Sequence, residues 1–323
     1  MAVYTHLSAE DLAALIAQYD VGELVSAKGI AEGVSNSNWI LETTGQDGNG
    51  ARFILTMYER RIDLAELPFF LDLLDHLSSH GLPVPHTIHD RHGASWRMFD
   101  QDKAVALIEY LPGVSVDRPT PQQAHAVGAS LAQMHIAALE FGETREDKLN
   151  VLHNLTALQS CREELAHIDP RLPEMIERGQ RICRDWPTSL PETIIHSDLF
   201  PDNVLMLGET VTGLIDFYFA SNGAMAYDLA VTHAAWCFDR DGSKFHADVG
   251  DALMQGYQSV RALEPRENAA MPILAQAACL RFVASRAQDW IDTPPDAHVT
   301  RKDPMDFVRR WDVYAEMGDR LFA

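Results

Sequence analysis

Four polar residues with active-site chemistry lie in two short stretches, TIIHSDLFPDN and GLIDFYF, each at the end of an apolar, strand-like run. They are His196, Asp198, Asn203 and Asp216. Carboxylate and amide oxygens are the ligands that a hard cation such as Mg²⁺ prefers, whereas zinc prefers imidazole and thiolate ligands. The two stretches therefore predict a Mg²⁺ site together with a side chain that accepts or orients a proton.

The order His-x-Asp-x-x-x-x-Asn, followed by a strand and a further Asp, suits phosphoryl transfer. This reaction asks a protein mainly for positioning and charge neutralisation. Asp198 can accept or orient the proton of an attacking hydroxyl, and Asn203 and Asp216 can bind the metal through oxygen. A hydrolytic triad of His196, Ser197 and Asp198 is excluded, because neighbouring side chains in a strand or tight turn point apart.

The part of the chain before residue 113 predicts a small sheet with one main helix. An amphipathic helix should come first, and two strand-like runs separated by a polar turn should form an antiparallel hairpin. A helix with a continuous apolar stripe should then precede a buried strand that ends at a Pro-Gly turn. In chain order these elements are expected at residues 8–19, 28–43, 51–59, 63–81 and 104–113.

After this turn the pattern is mainly helical. Thr120 and Gln123 form a predicted capping box at the start of a helix with a long apolar stripe. His135 lies at the edge of that stripe, and we interpret it as a hydrogen-bonded structural residue. Further helices, one of them broken by two prolines, are expected at residues 149–186, 228–238, 269–291 and 305–321.

Length and charge limit the class of protein. A chain of 323 residues is long for one hydrophobic core and suits two lobes. Its formal net charge of −21 argues against non-specific binding to nucleic acid or anionic membranes, since both need a basic surface. The apolar runs are too short to cross a bilayer, and the N-terminus is acidic, unlike a signal peptide, so we expect a cytoplasmic protein.

Three groups of residues have an ordinary structural explanation. The four cysteines are scattered without CxxC spacing, which indicates reduced thiols. Five histidines between residues 76 and 92 span a helix end and two prolines, and we interpret them as a solvated surface. Four aromatic residues could form a cage for a quaternary ammonium group, but ordinary core packing explains them equally well. They are Tyr218, Tyr227, Trp236 and Trp290.

The stretch HSDLFPDNVL resembles the catalytic loop of the protein-kinase-like superfamily, and LIDFYFA resembles its metal-binding Asp-Phe-Gly segment. YDLA, which contains Asp228, is similar to the aminoglycoside phosphotransferase and choline kinase branch, where a further Asp supports the loop. The stretches GIAEGVSNSNW, FILTMYE, LPFF and AYDLAVTHAAWCFD extend the similarity over nearly the whole chain. Together they resemble bacterial homoserine kinases of the aminoglycoside phosphotransferase-like type.

This resemblance implies an α+β, two-lobed, protein-kinase-like fold, with an antiparallel sheet and a helix in the N-lobe and a mostly helical C-lobe. Residues 1–108 would form a nucleotide-binding lobe, and residues 109–323 a catalytic and substrate-binding lobe. It also implies transfer of the γ-phosphate of ATP to the side-chain hydroxyl of L-homoserine, on the route to threonine, with Mg²⁺ as cofactor. Kinases of aminoglycosides, choline or sugars, and a nucleotide-binding pseudokinase, are the alternatives.

The resemblance assigns roles to individual residues. Asp198 would be the base or hydroxyl-orienting residue, supported by His196 and Asp228. Asn203 and Asp216 would be the metal ligands. The residues expected to contact ATP are Gly33, Ser35, Asn36, Asn38, Thr56, Glu109 and Leu111, the last two through main-chain groups.

Two positions depart from the wider kinase pattern. Thr56 stands where those kinases place a phosphate-binding lysine, and Phe70 stands where they place its glutamate partner. Loss of both is chemically consistent, because a glutamate without its lysine would put negative charge beside ATP. Lys28 and Arg60, with the polar loop at residues 29–38, are the candidate replacements.

The charged ends of homoserine each need a partner of opposite charge. Arg281 lies beside an apolar stripe in a predicted C-terminal helix and is the candidate for the substrate carboxylate. A structural ion pair with an acidic residue of the protein is the alternative.

Overall fold

A computed structural model of the chain describes residues 7–30, 36–58, 63–100, 102–293 and 301–322. By its internal contacts the chain divides into two compact units. The first contains Met1–Gly113 and Thr212–Tyr218, and the second contains Val114–Val211 and Phe219–Ala323. The first division lies a few residues after the position expected from the sequence. The return of a short later segment to the first unit is a feature that the sequence does not predict.

The first unit contains a six-stranded sheet in which every pair of neighbouring strands is antiparallel. Its strand order is β1-β2-β3-β6-β4, and β5 also pairs with β6. The predicted hairpin is confirmed as β2 and β3, in which Asn38 lies opposite Thr56. The elements of this unit are α1 (Ala9–Ile16), β1 (Leu24–Ile30), β2 (Asn36–Thr43), β3 (Ala51–Tyr58), α2 (Leu67–Ser79), β4 (Thr87–Ile88), β5 (Arg97–Asp100) and β6 (Lys103–Glu109).

The sheet of the first unit has an apolar cluster on each face. Because side chains alternate along a strand, successive residues of β3 and β6 supply the two clusters in turn. Leu12 and Ile16 of α1 pack in one cluster, and Leu67 and Leu71 of α2 pack in the other. The two helices are therefore held by burial of their apolar faces, as the sequence predicts for both.

The second unit is mainly helical. Within it β7 pairs with β10 and β8 pairs with β9, and the division between the units falls within β9. Its elements are α3 (Pro121–Ala138), α4 (Val151–Ser160), α5 (Arg162–Ile168), α6 (Glu174–Arg184), β7 (Glu192–Ile195), β8 (Val204–Leu207), β9 (Thr210–Leu214), β10 (Ser221–Ala224), α7 (Met225–Trp236), α8 (Ala247–Val260), α9 (Pro265–Asp292) and α10 (Met305–Met317).

Helices α7 and α9 form the interior of the second unit. Every residue of α7 is buried, and α9 buries residues on several of its faces, including Ala277 and Leu280. A helix that is apolar all round is typical of a protein interior. Each of these helices nevertheless carries a buried charged residue, Asp228 in α7 and Arg281 in α9. Both residues contact the loop that follows β7.

Helices α3 and α8 pack closely because glycines face backbone atoms across the contact. A Cβ at Gly128 of α3 would overlap the carbonyl oxygen of Leu253, and a Cβ at Gly256 of α8 would overlap that of His125. Helix α8 is absent from the elements expected from the sequence. Glycine lowers intrinsic helix propensity, so the residues that allow this packing also weaken the helical pattern.

The predicted α+β class is confirmed, with the sheet in the first unit and most helices in the second. The helical stretch expected at residues 149–186 is divided into α4, α5 and α6, and the first break comes at Cys161, before either proline. The predicted capping box of Thr120 and Gln123 is confirmed at the start of α3. Among the residues described, no helix is long and apolar enough to span a bilayer.

Candidate active site

Strand β7 delivers the catalytic loop, which we define as residues 196–203. Ile194 and Ile195 are buried, and antiparallel pairing with β10 fixes the direction of the strand. Ser197 then takes a left-handed backbone conformation with φ of 65°, which turns the chain sharply. A 3₁₀ turn at Pro201–Asn203 leads into β8. The loop thus lies between two strands, as the sequence predicts.

Asp228 of α7 holds the start of the catalytic loop. Its carboxylate accepts hydrogen bonds from the backbone N–H groups of His196, at 2.7 Å, and Ser197, at 2.6 Å. It also lies 3.0 Å from Nε2 of His135, whose Nδ1 is 2.8 Å from the hydroxyl of Tyr257. His135 is therefore confirmed as a hydrogen-bonded structural residue. Burial acts to raise the pKa of Asp228, but these hydrogen bonds hold the pKa below its ordinary value.

Asp198 is the half-buried carboxylate of the loop. Its backbone N–H donates to Nδ1 of His196 at 3.2 Å, so this ring nitrogen accepts and the ring proton lies on Nε2. The Asn203 amide donates to the carbonyl oxygen of Asp198 at 2.8 Å and lies 3.4 Å from its Oδ2. Burial raises the pKa of Asp198, although the charge of Arg281 acts in the opposite direction. A carboxylate with a raised pKa is a better proton acceptor for a hydroxyl.

Arg281 contacts the same loop from α9. Its guanidinium donates to the carbonyl oxygen of Ser197 and, at 3.0 Å, to its Oγ. A second nitrogen lies 3.5 Å from Oδ1 of Asp198. The rings of Phe219 and Phe282 lie 5.5 Å and 4.9 Å from the guanidinium carbon. The structure thus gives this predicted substrate-binding arginine several partners within the protein.

Asp216 belongs to the first unit and has a left-handed backbone, with φ of 66°. It lies close enough to Tyr58 and Tyr218 for its charge to raise their pKa values, although burial is the main cause of both shifts. The hydroxyls of Tyr58 and Tyr218 are 2.8 Å apart, and the ring of Phe70 packs edge-on against Tyr218. Phe70, at the predicted position of the kinase glutamate, therefore packs beside the segment that carries Asp216.

The structure describes the surroundings of some of the residues predicted to bind the nucleotide. Thr56 and Asn38 are cross-strand neighbours joined by a hydrogen bond of 2.8 Å. Asn36 is buried, and its Oδ1 has no hydrogen-bond partner among the described residues. Glu109 lies at the end of β6, and its backbone N–H donates to the carbonyl oxygen of His86 at 3.0 Å.

For the other residues predicted to contact the nucleotide, the structure gives a position and an exposure at most. Leu111 follows β6 and is half-buried, and Lys28 is exposed on β1. Gly33, Ser35 and Arg60 lie outside the described residues. The cation that would replace the kinase lysine therefore remains a prediction.

Asp147, in the segment between α3 and α4, is a candidate functional residue that sequence reasoning missed. Its carboxylate accepts a hydrogen bond from the backbone N–H of Leu149 at 2.7 Å, and it is half-buried. Burial raises its pKa, while the nearby charges of Arg281 and Arg145 act to lower it. It follows no periodic element, so the sequence offers no pattern that would have found it.

The histidines between residues 76 and 92 contact different acceptors. His89 lies 2.7 Å from Asp75, and His86 lies 2.8 Å from Glu109. In the part of the chain that the structure describes, no group of three or more His, Cys, Asp or Glu side chains forms a metal-binding cluster.

Comparison with known proteins identifies the family. The profile of the phosphotransferase enzyme family matches residues 26–263. The homoserine kinase of Granulibacter bethesdensis is 44% identical over 311 residues, which cover 96% of this chain and 95% of that protein. The homoserine kinase of Parvibaculum lavamentivorans is 43% identical, with the same two shares.

Among solved structures, an amicoumacin kinase in complex with AMP-PNP, Ca²⁺ and Ami superposes with a TM-score of 0.69. The match covers 97% of this chain and 94% of that one, at 13% sequence identity. At this identity the likeness shows a shared fold, and it confirms the predicted two-lobed, protein-kinase-like class. The profile match and the near full-length identity together show that the chain belongs to the phosphotransferase enzyme family, among its homoserine kinases.

Proposed function

We propose that this protein transfers the γ-phosphoryl group of ATP to the side-chain hydroxyl of L-homoserine. The observation that carries the proposal is the 44% identity to a curated homoserine kinase over almost the full length of both chains. The catalytic loop supports it, because Asp198 and Asn203 are held together and the backbone before them is fixed by Asp228. The product would be O-phosphohomoserine, a precursor on a route to threonine.

In the proposed reaction Asp198 accepts or orients the proton of the homoserine hydroxyl. The hydroxyl oxygen forms a bond to the γ-phosphorus while the bond from that phosphorus to the bridging oxygen of ADP breaks. Because burial raises the pKa of Asp198, its carboxylate is better matched to this proton than an ordinary aspartate. His196 accepts the Asp198 N–H and thereby supports the backbone at the base.

Kinases that use ATP need a divalent metal, and we propose Mg²⁺ with Asn203 and Asp216 as ligands. The donor set fits, because both side chains offer hard oxygen atoms. The Asn203 amide nitrogen donates within the loop, which leaves the amide oxygen as the acceptor of that side chain. When bound, Mg²⁺ would neutralise charge on the phosphates of ATP.

We propose that the first unit binds the nucleotide. The buried Oδ1 of Asn36, which lacks a partner among the described residues, supports a polar ligand at this end of β2. The other proposed contacts are Asn38, Thr56, Glu109 and Leu111, with Gly33 and Ser35, which lie outside the described residues. The assignment of residues 1–108 as a nucleotide lobe and residues 109–323 as a catalytic lobe is part of the same proposal.

For the substrate ammonium we propose Asp147. The second unit contains both Asp147 and Asp198, and each is close enough to Arg281 for its charge to influence their pKa values. An acidic group near the base is what an amino-acid alcohol requires, because its ammonium must be neutralised when it leaves water.

A coupled assay of ADP release over L-homoserine, L-serine, choline and kanamycin tests the acceptor. We expect turnover with homoserine to exceed turnover with the other three, each measured at the same concentration with ATP and Mg²⁺. A flat response to homoserine combined with strong turnover of choline or kanamycin would assign the protein to a different acceptor within its family. ATP binding without transfer to any of the four would support a pseudokinase.

A further inference from the structure

We infer that Arg281 is a positioning residue that, together with Asp228, locks the left-handed turn at Ser197 and thereby orients the Asp198 carboxylate. The inference rests on the proposed function only in taking Asp198 as the base. It differs from the role that the sequence predicts for Arg281, which is to bind the carboxylate of homoserine.

Ser197 has a backbone conformation that a residue with a side chain adopts at a cost. Its φ is 65°, in the left-handed region that glycine occupies without strain. Such a conformation persists only where the surroundings determine it strongly. Ser197 comes directly before Asp198, so the direction of the Asp198 side chain depends on this turn.

Two buried charged side chains, one from each of two helices, form hydrogen bonds with the backbone of Ser197. Asp228 of α7 accepts the Ser197 N–H at 2.6 Å, and Arg281 of α9 donates to the Ser197 carbonyl oxygen. The peptide groups on both sides of the left-handed residue are therefore bound by charged side chains, which form stronger hydrogen bonds than neutral ones. Only 3% of Arg281 is exposed, and Asp228 is fully buried.

The choice of serine at this position has an explanation in the same contacts. The Ser197 hydroxyl lies 3.0 Å from a guanidinium nitrogen of Arg281 and 3.5 Å from the carbonyl oxygen of Phe219. Glycine would relieve the backbone but would lose both hydrogen bonds. Serine is therefore favourable at this turn because its hydroxyl can bond to Arg281. The contributions of Ser197 and Arg281 to the stability of the turn are then coupled.

Arg281 also contacts the catalytic carboxylate. Oδ1 of Asp198 lies 3.5 Å from Arg281, and Oδ2 lies 3.4 Å from the Asn203 amide. Each carboxylate oxygen thus faces a donor from a different element, which fixes the rotation of the group. The rings of Phe219 and Phe282 lie over the guanidinium and limit its movement. A substrate carboxylate would have to compete for an arginine that is already held from several sides.

Kinetics of Arg281→Met and Arg281→Lys distinguish a positioning role from a substrate-binding role. If Arg281 positions the base, we expect Arg281→Met to lower kcat by about 10²-fold and to change the KM for homoserine by less than about threefold. The matched control is Arg286→Met in the same helix, which removes an arginine paired with Asp306 and not with the loop. That control should keep a kcat close to the wild-type value.

A second readout follows from the coupling of the two residues. In the Arg281→Met background, Ser197→Gly should recover part of the lost kcat, because glycine adopts the left-handed turn without support. A merely structural role of Arg281 in helix packing would not respond to glycine at this position. If Ser197→Gly instead lowers kcat by the same factor in both backgrounds, the residues act independently and the inference is wrong.

A tenfold or larger rise in the KM for homoserine with kcat within twofold of wild type would assign Arg281 to the substrate and overturn the inference. Should Arg281→Met fail to fold by circular dichroism, Arg281→Lys decides by the same comparison of kcat and KM, because lysine keeps the charge but lacks the planar fork of donors. Failure of the proposed function would appear separately, as absence of homoserine turnover by the wild type. The same comparison is then made with the acceptor that the protein does phosphorylate.

Discussion

Asp198 is held by contacts from two parts of the second unit, its own loop and α9. His196 and Asn203 belong to its own loop, and Arg281 comes from α9. The spacing of His196, Asp198 and Asn203 is visible in the sequence, because one short turn contains all three. The approach of Arg281 is not, because it depends on how α9 packs against α7.

Replacement of Asp198 by Asn should separate catalysis from nucleotide binding. The amide has nearly the same shape but cannot accept the hydroxyl proton in the same way, so we expect kcat to fall by about 10² to 10⁴-fold. The dissociation constant of ATP, measured by calorimetry, should stay close to the wild-type value. Near-normal turnover by this variant would remove Asp198 from the role of base.

Replacement of Asp147 by Asn should act on the substrate and leave the nucleotide unaffected. An amide oxygen can still accept the Leu149 N–H, so the local turn is kept while the negative charge is lost. We expect the KM for homoserine to rise by about 10-fold or more, and the KM for ATP to stay unchanged. An unchanged KM for homoserine would mean that the ammonium binds elsewhere.

At the scale of elements, the contact between α3 and α8 supports the site indirectly. Tyr257 of α8 and His135 of α3 are hydrogen-bonded, and His135 in turn contacts Asp228. The sequence predicts α3 through its capping box and apolar stripe. It does not predict α8, because glycine weakens the helical pattern there. Gly128 and Gly256 are useful only in the presence of the partner helix, and a single-sequence pattern does not contain that partner.

Replacement of Gly128 by Ala should destabilise the second unit. The new Cβ would overlap the Leu253 carbonyl oxygen and lie 2.8 Å from the Tyr257 nitrogen, so backbone must move. Overpacking of this kind costs about 1–3 kcal/mol in the free energy of unfolding, measurable by urea titration. The control is Gly142→Ala, where a Cβ meets nothing within 4 Å, and it should change the free energy by less than about 0.5 kcal/mol. Equal effects of the two variants would contradict the close packing.

A pH-dependent contact joins α2 to the edge of the sheet in the first unit. Nε2 of His89 lies 2.7 Å from Asp75, and Asp75 also accepts the Thr87 N–H at 2.7 Å. The hydrogen bond to Asp75 is the main reason why the pKa of His89 is raised above its ordinary value of 6.5. A group whose pKa is higher in the folded state binds its proton more tightly there. Its stabilisation is therefore complete below about pH 6.5 and is lost as pH rises through the folded-state pKa.

The difference in urea midpoint between wild type and His89→Gln should be larger at pH 6 than at pH 9. Asp75→Asn is the matched variant, because the amide oxygen still accepts the Thr87 N–H while the charge that holds the imidazolium is removed. In that background the His89→Gln difference should lose its pH dependence. A difference that grows with pH would show that His89 is held in its neutral form.

For the whole molecule, the family resemblance and the hydrophobic patterns predict the two-lobed α+β class, but not how the chain is divided. Thr212–Tyr218 belongs to the first unit through contacts between residues far apart in sequence. Leu214 N–H donates to the Pro83 carbonyl oxygen at 2.7 Å, and Tyr218 meets Tyr58. A sequence pattern reports local periodicity, so it identifies β9 as apolar without identifying which unit β9 joins.

The formal net charge of −21 is a property of the whole chain that affects the binding of ATP. A strongly acidic protein repels ATP at long range, so nucleotide binding must depend on local groups and on the metal. The hydroxyl and aromatic groups around Thr56, Tyr58 and Tyr218 supply no positive charge in place of the usual lysine. The candidates to balance the phosphate charge are then the predicted cations Lys28 and Arg60 and the metal proposed at Asn203 and Asp216.

The most direct test of the account is a ³¹P NMR spectrum of the protein with ATP, Mg²⁺ and L-homoserine. We predict a new phosphomonoester signal, split by the two protons of the adjacent methylene group, that grows in step with ADP. It should be absent when homoserine is omitted. Release of ADP with inorganic phosphate alone, or no reaction of ATP at all, would contradict phosphoryl transfer to the homoserine hydroxyl.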